Sequence, residues 1–359
     1  MSFKKKYLKD ASNPYFIAEI GINHNGNIDL AKKMIKKSKE AGAQAVKFQK
    51  RNINLLTDPN MKLSEPTGYL SQSEDDLPSE EKAFGTWTYP DKRLEFSNSQ
   101  YDELIKYSSE NKIDFIISPW EEDSVDFIQK KQLKVIKLAS IDTINYQFCE
   151  YIADKKIPTI ASVGMTNYDQ ITKTYEIFKE RSCPLMFMHC TSAYPCPIED
   201  KNLEIINVLK DMFETDIGFS GHAIGIEGTL GAVALGARVI EKHVTLSRKM
   251  SGPDQAASLE FDEFKDLINY SNNMVLAMGS RIKKLEKSEM TLKKILNRSF
   301  IAKEDIDVGQ QITSTLIGTV VTDVQNGLSP DKYYNILKSK ASKKINKNKI
   351  LSAQDITEL

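Results

Sequence analysis

The sequence has no surplus of charge of either sign. Its 49 Lys and Arg residues balance 49 Asp and Glu residues over 359 positions, so no global basic field directs it to nucleic acid or to an anionic membrane. It has no long apolar run: none approaches the roughly 20 residues that cross a bilayer. The basic start MSFKKKYLKD is not followed by an apolar segment, so no secretory leader is expected and a cytoplasmic location is. Cysteine is scarce. The four present, Cys149, Cys183, Cys190 and Cys196, form no CxxC pair, the pattern of reduced core or loop thiols. Cys190 and Cys196 flank a candidate active-site loop, where one exposed thiol is expected. No GxGxxG follows the first β-rich run, which tells against an open, doubly wound dinucleotide-binding sheet.

What is present is ordinary in composition and regular in order. Hydrophobic residues make up 40% and charged residues 27%, as in a soluble enzyme with one barrel-sized domain and a small one. Short β-rich apolar runs fall at 16–20, 45–49, 115–118, 135–139, 159–163, 185–190, 217–220 and 239–244. Amphipathic stretches alternate with them at 28–41, 99–111, 123–131, 146–155, 168–179, 203–213, 226–235 and 261–278. This alternation predicts an α/β fold, a (β/α)8 TIM barrel, over residues 1–280. Residues 281–296 read as a charged, helical linker, and 297–359 as a small mixed domain with turns at Val308-Gly309 and Asn326-Gly327. A unit of that size is marginal alone and is expected to dock on the barrel or on a partner chain. The long connection from Lys50 to Phe96 carries Tyr69, Phe84, Trp87 and Tyr89 and reads as an active-site cover.

In such a barrel, chemistry sits at the C-terminal ends of the strands. Nearly every apolar run here closes on polar residues: Glu19; Lys47 with Gln49; Ser118; Lys137 with Ser140; Ser162; His189; Ser220 with His222; Glu241 with His243. His222 and His243 end consecutive strands, so two neutral imidazoles can converge on a divalent ion with positions left open, Glu19 and Asp254 being further ligands or bases. The alternative is a pair of satisfied core histidines. Lys47 and Lys137 end apolar runs, where an ammonium needs an anion. With Ser118, Ser140, Ser162 and Ser220 they form an inventory for a phosphate plus a carboxylate, or else they pair with Glu19 and Glu241. A lysine Schiff base, as in a metal-free aldolase, is the rival chemistry, against which the histidine pair argues. His24, in GINHNGNIDL, either shapes a loop before a helix cap or faces the pocket.

The motifs FIAEIGINHNG, AVKFQK, KLASIDTIN, ASVGM, HCTSAYPCP, GFSGHAIG, VIEKHVTL and GPDQAASLE resemble, in order, those of the sialic acid (N-acetylneuraminate) synthase family. The tail NRSFIAKEDIDVGQQI resembles the start of the antifreeze-protein-like (SAF) domain that ends those enzymes. The resemblance implies condensation of phosphoenolpyruvate with N-acetylmannosamine or its 6-phosphate. It implies a divalent metal, Mn2+ foremost with Mg2+ or Co2+ as alternatives, and a domain-swapped homodimer in which the small domain covers the partner's barrel. By position it carries over His222 and His243 as metal ligands and Glu19, Glu241 and Lys47 as the catalytic set. Ser118, Lys137, Ser140, Ser162, Ser192 and Ser220 fall to phosphoenolpyruvate, and Gln49, Tyr194 and Asp254 to the sugar. Two departures stand out. Ser192 replaces the Asn common in bacterial members, and Asp323 lies near the position where many carry an Arg that reaches the partner's site. The TSAYP and KRLEFS stretches look more like the animal-type synthases, which act on the sugar 6-phosphate. Rival readings are a legionaminic or pseudaminic acid synthase acting on a diacetamido sugar and, outside enzymes, an ice-binding or scaffold protein.

Overall fold

The computed structural model describes residues 3–8, 14–56, 92–250 and 252–357. The chain divides into two compact units, Met1–Gly279 and Ser280–Leu359. The first is a closed barrel of parallel strands in chain order: β1 (Tyr15–Gly21), β2 (Ala45–Lys50), β3 (Asp114–Pro119), β4 (Ile136–Leu138), β5 (Thr159–Ser162), β6 (Leu185–Cys190), β7 (Gly218–Gly221) and β8 (Val239–Thr245). Closure is made by β8 pairing with β1, with Glu241 opposite Ile17 and His243 opposite Glu19. The surrounding helices are α1 (Ile28–Ala41), α2 (Asn98–Glu110), α3 (Glu122–Lys130), α4 (Tyr146–Asp154), α5 (Tyr168–Glu180), α6 (Ile205–Phe213), α7 (Glu227–Ala234) and α8 (Phe261–Met278). The expected (β/α)8 architecture is therefore present. None of the described helices is long and apolar enough to cross a membrane.

Local sequence explains each repeat. In α1 the buried residues Ala31, Met34, Ile35, Ser38 and Ala41 recur at helical spacing, so one stripe packs on the barrel. The Asn27 side chain accepts from the Asp29 and Leu30 amides at its start, and Gly42, at φ 101°, ends it in the left-handed region.

The strands carry a second pattern. Alternate residues face the helices, where Phe16, Ala18, Val46, Phe48, Phe115, Ile117, Ile136, Ala161, Phe187, Phe219 and Ile240 share one apolar cluster. The opposite phase fills the barrel. Ile17, Ala45, Ile116, Val135, Ile160, Met186, Met188 and Val239 form a separate cluster closed by Phe3 and Leu8, which flank and end the N-terminal turn Lys4–Leu8. Two residues further along each strand, in the same phase, stand Glu19, Lys47, Ser118, Lys137, Ser162, Cys190 and Glu241. The period of two in a strand thus stacks a polar layer on an apolar floor.

Three expectations are corrected. His189 is out of phase with that layer: its Nε2 lies 2.7 Å from the Lys201 carbonyl and its ring packs near Phe219. Neither Cys190 nor Cys196 is exposed; all four cysteines are buried and unpaired. In the stretch 281–296 only Met290–Ile295 is α-helical, preceded by a 3-10 turn at Lys287–Glu289. Ile282 and Leu285, like Met290, Leu292 and Ile295, are exposed, and a segment with no buried face holds only a short helix. Most of the 50–96 connection read as a cover, residues 57–91, lies outside the described residues.

The second unit has an antiparallel pair, β9 (Arg298–Ala302) and β10 (Ile317–Val321). Its core gathers Phe300, Ile306, Ile317, Ile336, Ile345 and Leu351. Asp355 is fully buried, 2.5 Å from Lys349 Nζ and 3.2 Å from Lys343 Nζ, and accepts from the Ser352 amide and hydroxyl. Burial pushes this carboxyl up, but the lysines and Ser352 outweigh it and hold it down at about 2.

Candidate active site

At the polar layer, Lys47 is the hub. Its ammonium lies 3.1 Å from Glu19 Oε1 and 3.4 Å from Glu241 Oε1, and donates to Ser118 Oγ at 3.1 Å. All three charged groups are at most 5% exposed, so none can rely on water for solvation. Gln49 Nε2 donates to Glu19 Oε1 at 3.2 Å, and Ser220 Oγ to Glu241 Oε1 at 3.3 Å. The two carboxylates are driven apart. Burial lifts Glu19 to about 7, with Lys47 opposing and Glu241 adding to the lift. Burial pushes Glu241 up as well, but Lys47, Lys137 and His222 prevail and hold it below the usual carboxylate range. The pair therefore tends to share one proton near neutral pH, the arrangement from which an acid and a base are drawn.

A second cluster stands beside it. Lys137 Nζ donates to Ser162 Oγ at 2.6 Å and to the Leu138 carbonyl at 3.0 Å. Ser140 Oγ accepts from the Gly164 amide at 3.2 Å and lies 3.2 Å from Cys190 Sγ, which is 3.6 Å from Ser192 Oγ. A Cβ on Gly164 would stand 2.2 Å from Ser192 Oγ and 2.9 Å from Cys190 Sγ. Only a glycine leaves this cradle open.

The imidazoles complete the mouth. The rings of His222 and His243 are 5.6 Å apart. His222 Nδ1 is 3.0 Å from the Thr191 carbonyl, to which it donates. That tautomer presents the Nε2 lone pair to Tyr194 OH at 3.0 Å and Ser220 Oγ at 3.4 Å. Burial drives His243 well below the usual imidazole range, and the Lys47 and Lys242 ammonium groups nearby add to the shift, so its ring is neutral. Its Nδ1, like Glu19 Oε2 and Glu241 Oε2, is buried without a hydrogen bond; Asp254 Oδ2 is 3.7 Å from it, and burial raises that carboxyl to about 6. Among the described residues no group of three or more His, Cys, Asp and Glu converges as a closed metal cage. Two imidazoles with ring centres 5.6 Å apart, and buried Glu19, Glu241 and His243 atoms left without a hydrogen bond, fit instead an open divalent site completed by water or substrate.

Apart from His189 and His24, the polar residues read from the strand ends thus gather at one mouth of the barrel. His24 does not reach it. Its Nδ1 accepts from the Gly26 amide at 3.0 Å and its ring stacks on Phe96 at 4.2 Å, so it organises the β1–α1 turn. Sequence reasoning passed over Gly164, Cys190 as part of the cradle, and Asp142. Burial raises the Asp142 carboxyl to about 6, and its Oδ2 has no hydrogen bond. The phase of β6 marks Cys190, since it follows Met186 and Met188 at period two; no comparable signal marks Gly164.

Fold and site together define a (β/α)8-barrel protein with lysine, carboxylate and imidazole groups at one mouth. The chain belongs to the NeuB family, whose model matches residues 34–283. It is 37% identical over 323 residues, 90% of this chain and 87% of the relative, to N-acetylneuraminate-9-phosphate synthase of Mus musculus. It is 34% identical over 340 residues, 93% of this chain and 98% of the relative, to N,N'-diacetyllegionaminic acid synthase of Campylobacter jejuni. A crystal structure of N-acetylneuraminic acid (sialic acid) synthetase from Leptospira borgpetersenii superposes with a TM-score of 0.67 at 30% identity, covering 78% of this chain and 90% of that one. The family resemblance read from the motifs is borne out.

Proposed function

We propose that the chain is a sugar-acid synthase, a transferase that condenses phosphoenolpyruvate with N-acetylmannosamine or its 6-phosphate to give N-acetylneuraminate or its 9-phosphate, with release of phosphate. The observation that carries this reading is Lys47 held between Glu19 and Glu241, one layer above the apolar floor and beside the Lys137 cluster. Lys47 and Lys137, with Ser118, Ser140, Ser162, Ser192 and Ser220, bind the phosphate and carboxylate of phosphoenolpyruvate and set the face it presents. Gln49, Tyr194 and Asp254 hold the open-chain sugar above it. The enol carbon then forms a bond to the sugar's aldehyde carbon. Glu19, lifted to about 7, supplies a proton to the developing alkoxide. Glu241, held ionised, takes a proton from the water that adds to the phosphate-bearing carbon. Phosphate leaves by C–O cleavage.

His222 and His243 would hold the divalent ion, Mn2+ foremost and Mg2+ or Co2+ otherwise, which supplies Lewis-acid polarisation of the acceptor carbonyl when bound. We further assign the 297–359 segment to an antifreeze-like SAF domain that covers a partner's barrel in a homodimer. Asp323 in place of the bacterial Arg means that this contact would carry no guanidinium. Four buried free thiols suit a reducing cytoplasm.

The test is direct. Purified protein, phosphoenolpyruvate and Mn2+ are mixed in parallel with N-acetylmannosamine, its 6-phosphate and diacetamido-dideoxy hexoses, and phosphate release and product mass are followed. Turnover with either mannosamine is expected, together with loss on chelation and recovery with Mn2+. Turnover only with the diacetamido sugars would replace this reading with legionaminic or pseudaminic acid synthesis. Incorporation of labelled water oxygen into phosphate rather than the sugar acid would overturn C–O cleavage.

A further inference from the structure

The helix-facing side of the barrel wall is mainly apolar. Between Ile240 and Val244, where packing calls for another aliphatic side chain, stands Lys242, only 1% exposed. Its ammonium donates to the Ala223 carbonyl at 2.6 Å. It lines a cleft with Lys201, Gly225, Gly228, Thr229 and the back of His222. Lys201 is 8% exposed, and its ammonium sits so close to the start of α7 that a Cβ on Gly228 would stand 2.7 Å from Nζ. Among the described residues no carboxylate comes within 4.0 Å of either ammonium, and Lys201 Nζ has no hydrogen-bond partner. Glu227 and Glu263 act on Lys242 only from beyond that distance.

Two largely buried ammonium groups beside one helix start are unfavourable without a counter-charge. No side chain caps α7, so its first-turn amides face the cleft, partly offset by Glu227 in the same turn. The space offers about 10 Å³, one water-sized sphere. A monatomic anion needs only a few tenths of an ångström of give there, whereas a phosphate or a carboxylate needs room for several more heavy atoms.

We propose that this cleft is a binding site for a single monovalent halide, chloride in the cell, held by the Lys201 and Lys242 ammonium groups, the Thr229 hydroxyl and the first amides of α7. The ion would tie the β6–α6 loop to β8 and α7, behind the loop that carries His222. It is independent of the reaction proposed above.

Crystals of the full chain equilibrated in bromide should show an anomalous peak between Lys201 and Lys242. At constant ionic strength, replacing gluconate by chloride should raise the unfolding midpoint of the barrel by about 3–6 °C and saturate. In Lys201→Met, which places an apolar stem where an unpaired ammonium stood, the chloride response should vanish. No bromide peak in the wild-type crystals would sink the proposal without recourse to any variant. So would an equal chloride response in Lys201→Met, or an equal midpoint rise with phosphate.

Discussion

Lys47 and Gly164 show how much can rest on one residue at this mouth. Lys47→Met leaves Glu19 and Glu241 buried beside each other with no cation between them. Loss of one partner from a buried ionic group costs about 3–5 kcal/mol, and loss of a charge at a reacting centre costs about 10²–10³ in kcat. We expect both, read as a lowered unfolding midpoint and a collapse of phosphate release; a variant as stable and active as the parent would remove Lys47 from the hub. Gly164→Ala makes a narrower cut. Its methyl intrudes among Ser192, Cys190 and Ser140, so KM for phosphoenolpyruvate should rise roughly tenfold or more, with KM for the sugar and the midpoint nearly unchanged. An equal rise in both KM values would place the cradle elsewhere.

At the scale of elements, the β1–α1 turn is the tightest joint. Gly26 sits at φ +71°, and a Cβ there would be 2.0 Å from the Arg93 carbonyl. Gly26→Ala should therefore push the 92–96 segment off the turn and lower the midpoint by an amount equivalent to about 2–4 kcal/mol, measured by denaturant unfolding. Strands and helices were legible in the sequence because apolar runs and helical stripes each have a period, and the polar residues at strand ends share the phase of the barrel interior. The same logic misplaced His189, one residue out of phase, because a polar residue at a strand end says nothing by itself about which side it faces. The helix expected at 281–296 is cut to Met290–Ile295, because the segment buries no apolar face that would hold a longer one. Lys242 was passed over for the opposite reason: flanked by Glu241 and His243, it read as one more charge in a polar motif, and only the barrel shows that it points away from them.

The molecule as a whole is two units with separate cores, and they should answer separately to perturbation. Asp355 belongs to the smaller one. Its folded pKa of about 2 lies below the ordinary carboxyl value of about 3.9, so the stability it contributes is present above pH 4 and is lost as pH falls through 2. Asp355→Asn should cost the small unit about 2 kcal/mol at neutral pH, and the difference from the parent should shrink on acidification. In calorimetry it should shift one transition and leave the barrel's in place; a shift of both would show that the units unfold as one.

The packed floor of the barrel has one more consequence. Phe3 and Leu8 plug the end opposite the polar mouth, so among the described residues the site is a well with a single door. Whatever binds against Lys137 and Ser162 must enter before anything that rests on Gln49, Tyr194 and Asp254, and must leave after it. Traffic through one opening imposes a queue: on the proposed placement of phosphoenolpyruvate below the sugar, the kinetics should be sequential and ordered, the sugar acid departing ahead of any phosphate still held on the lysines.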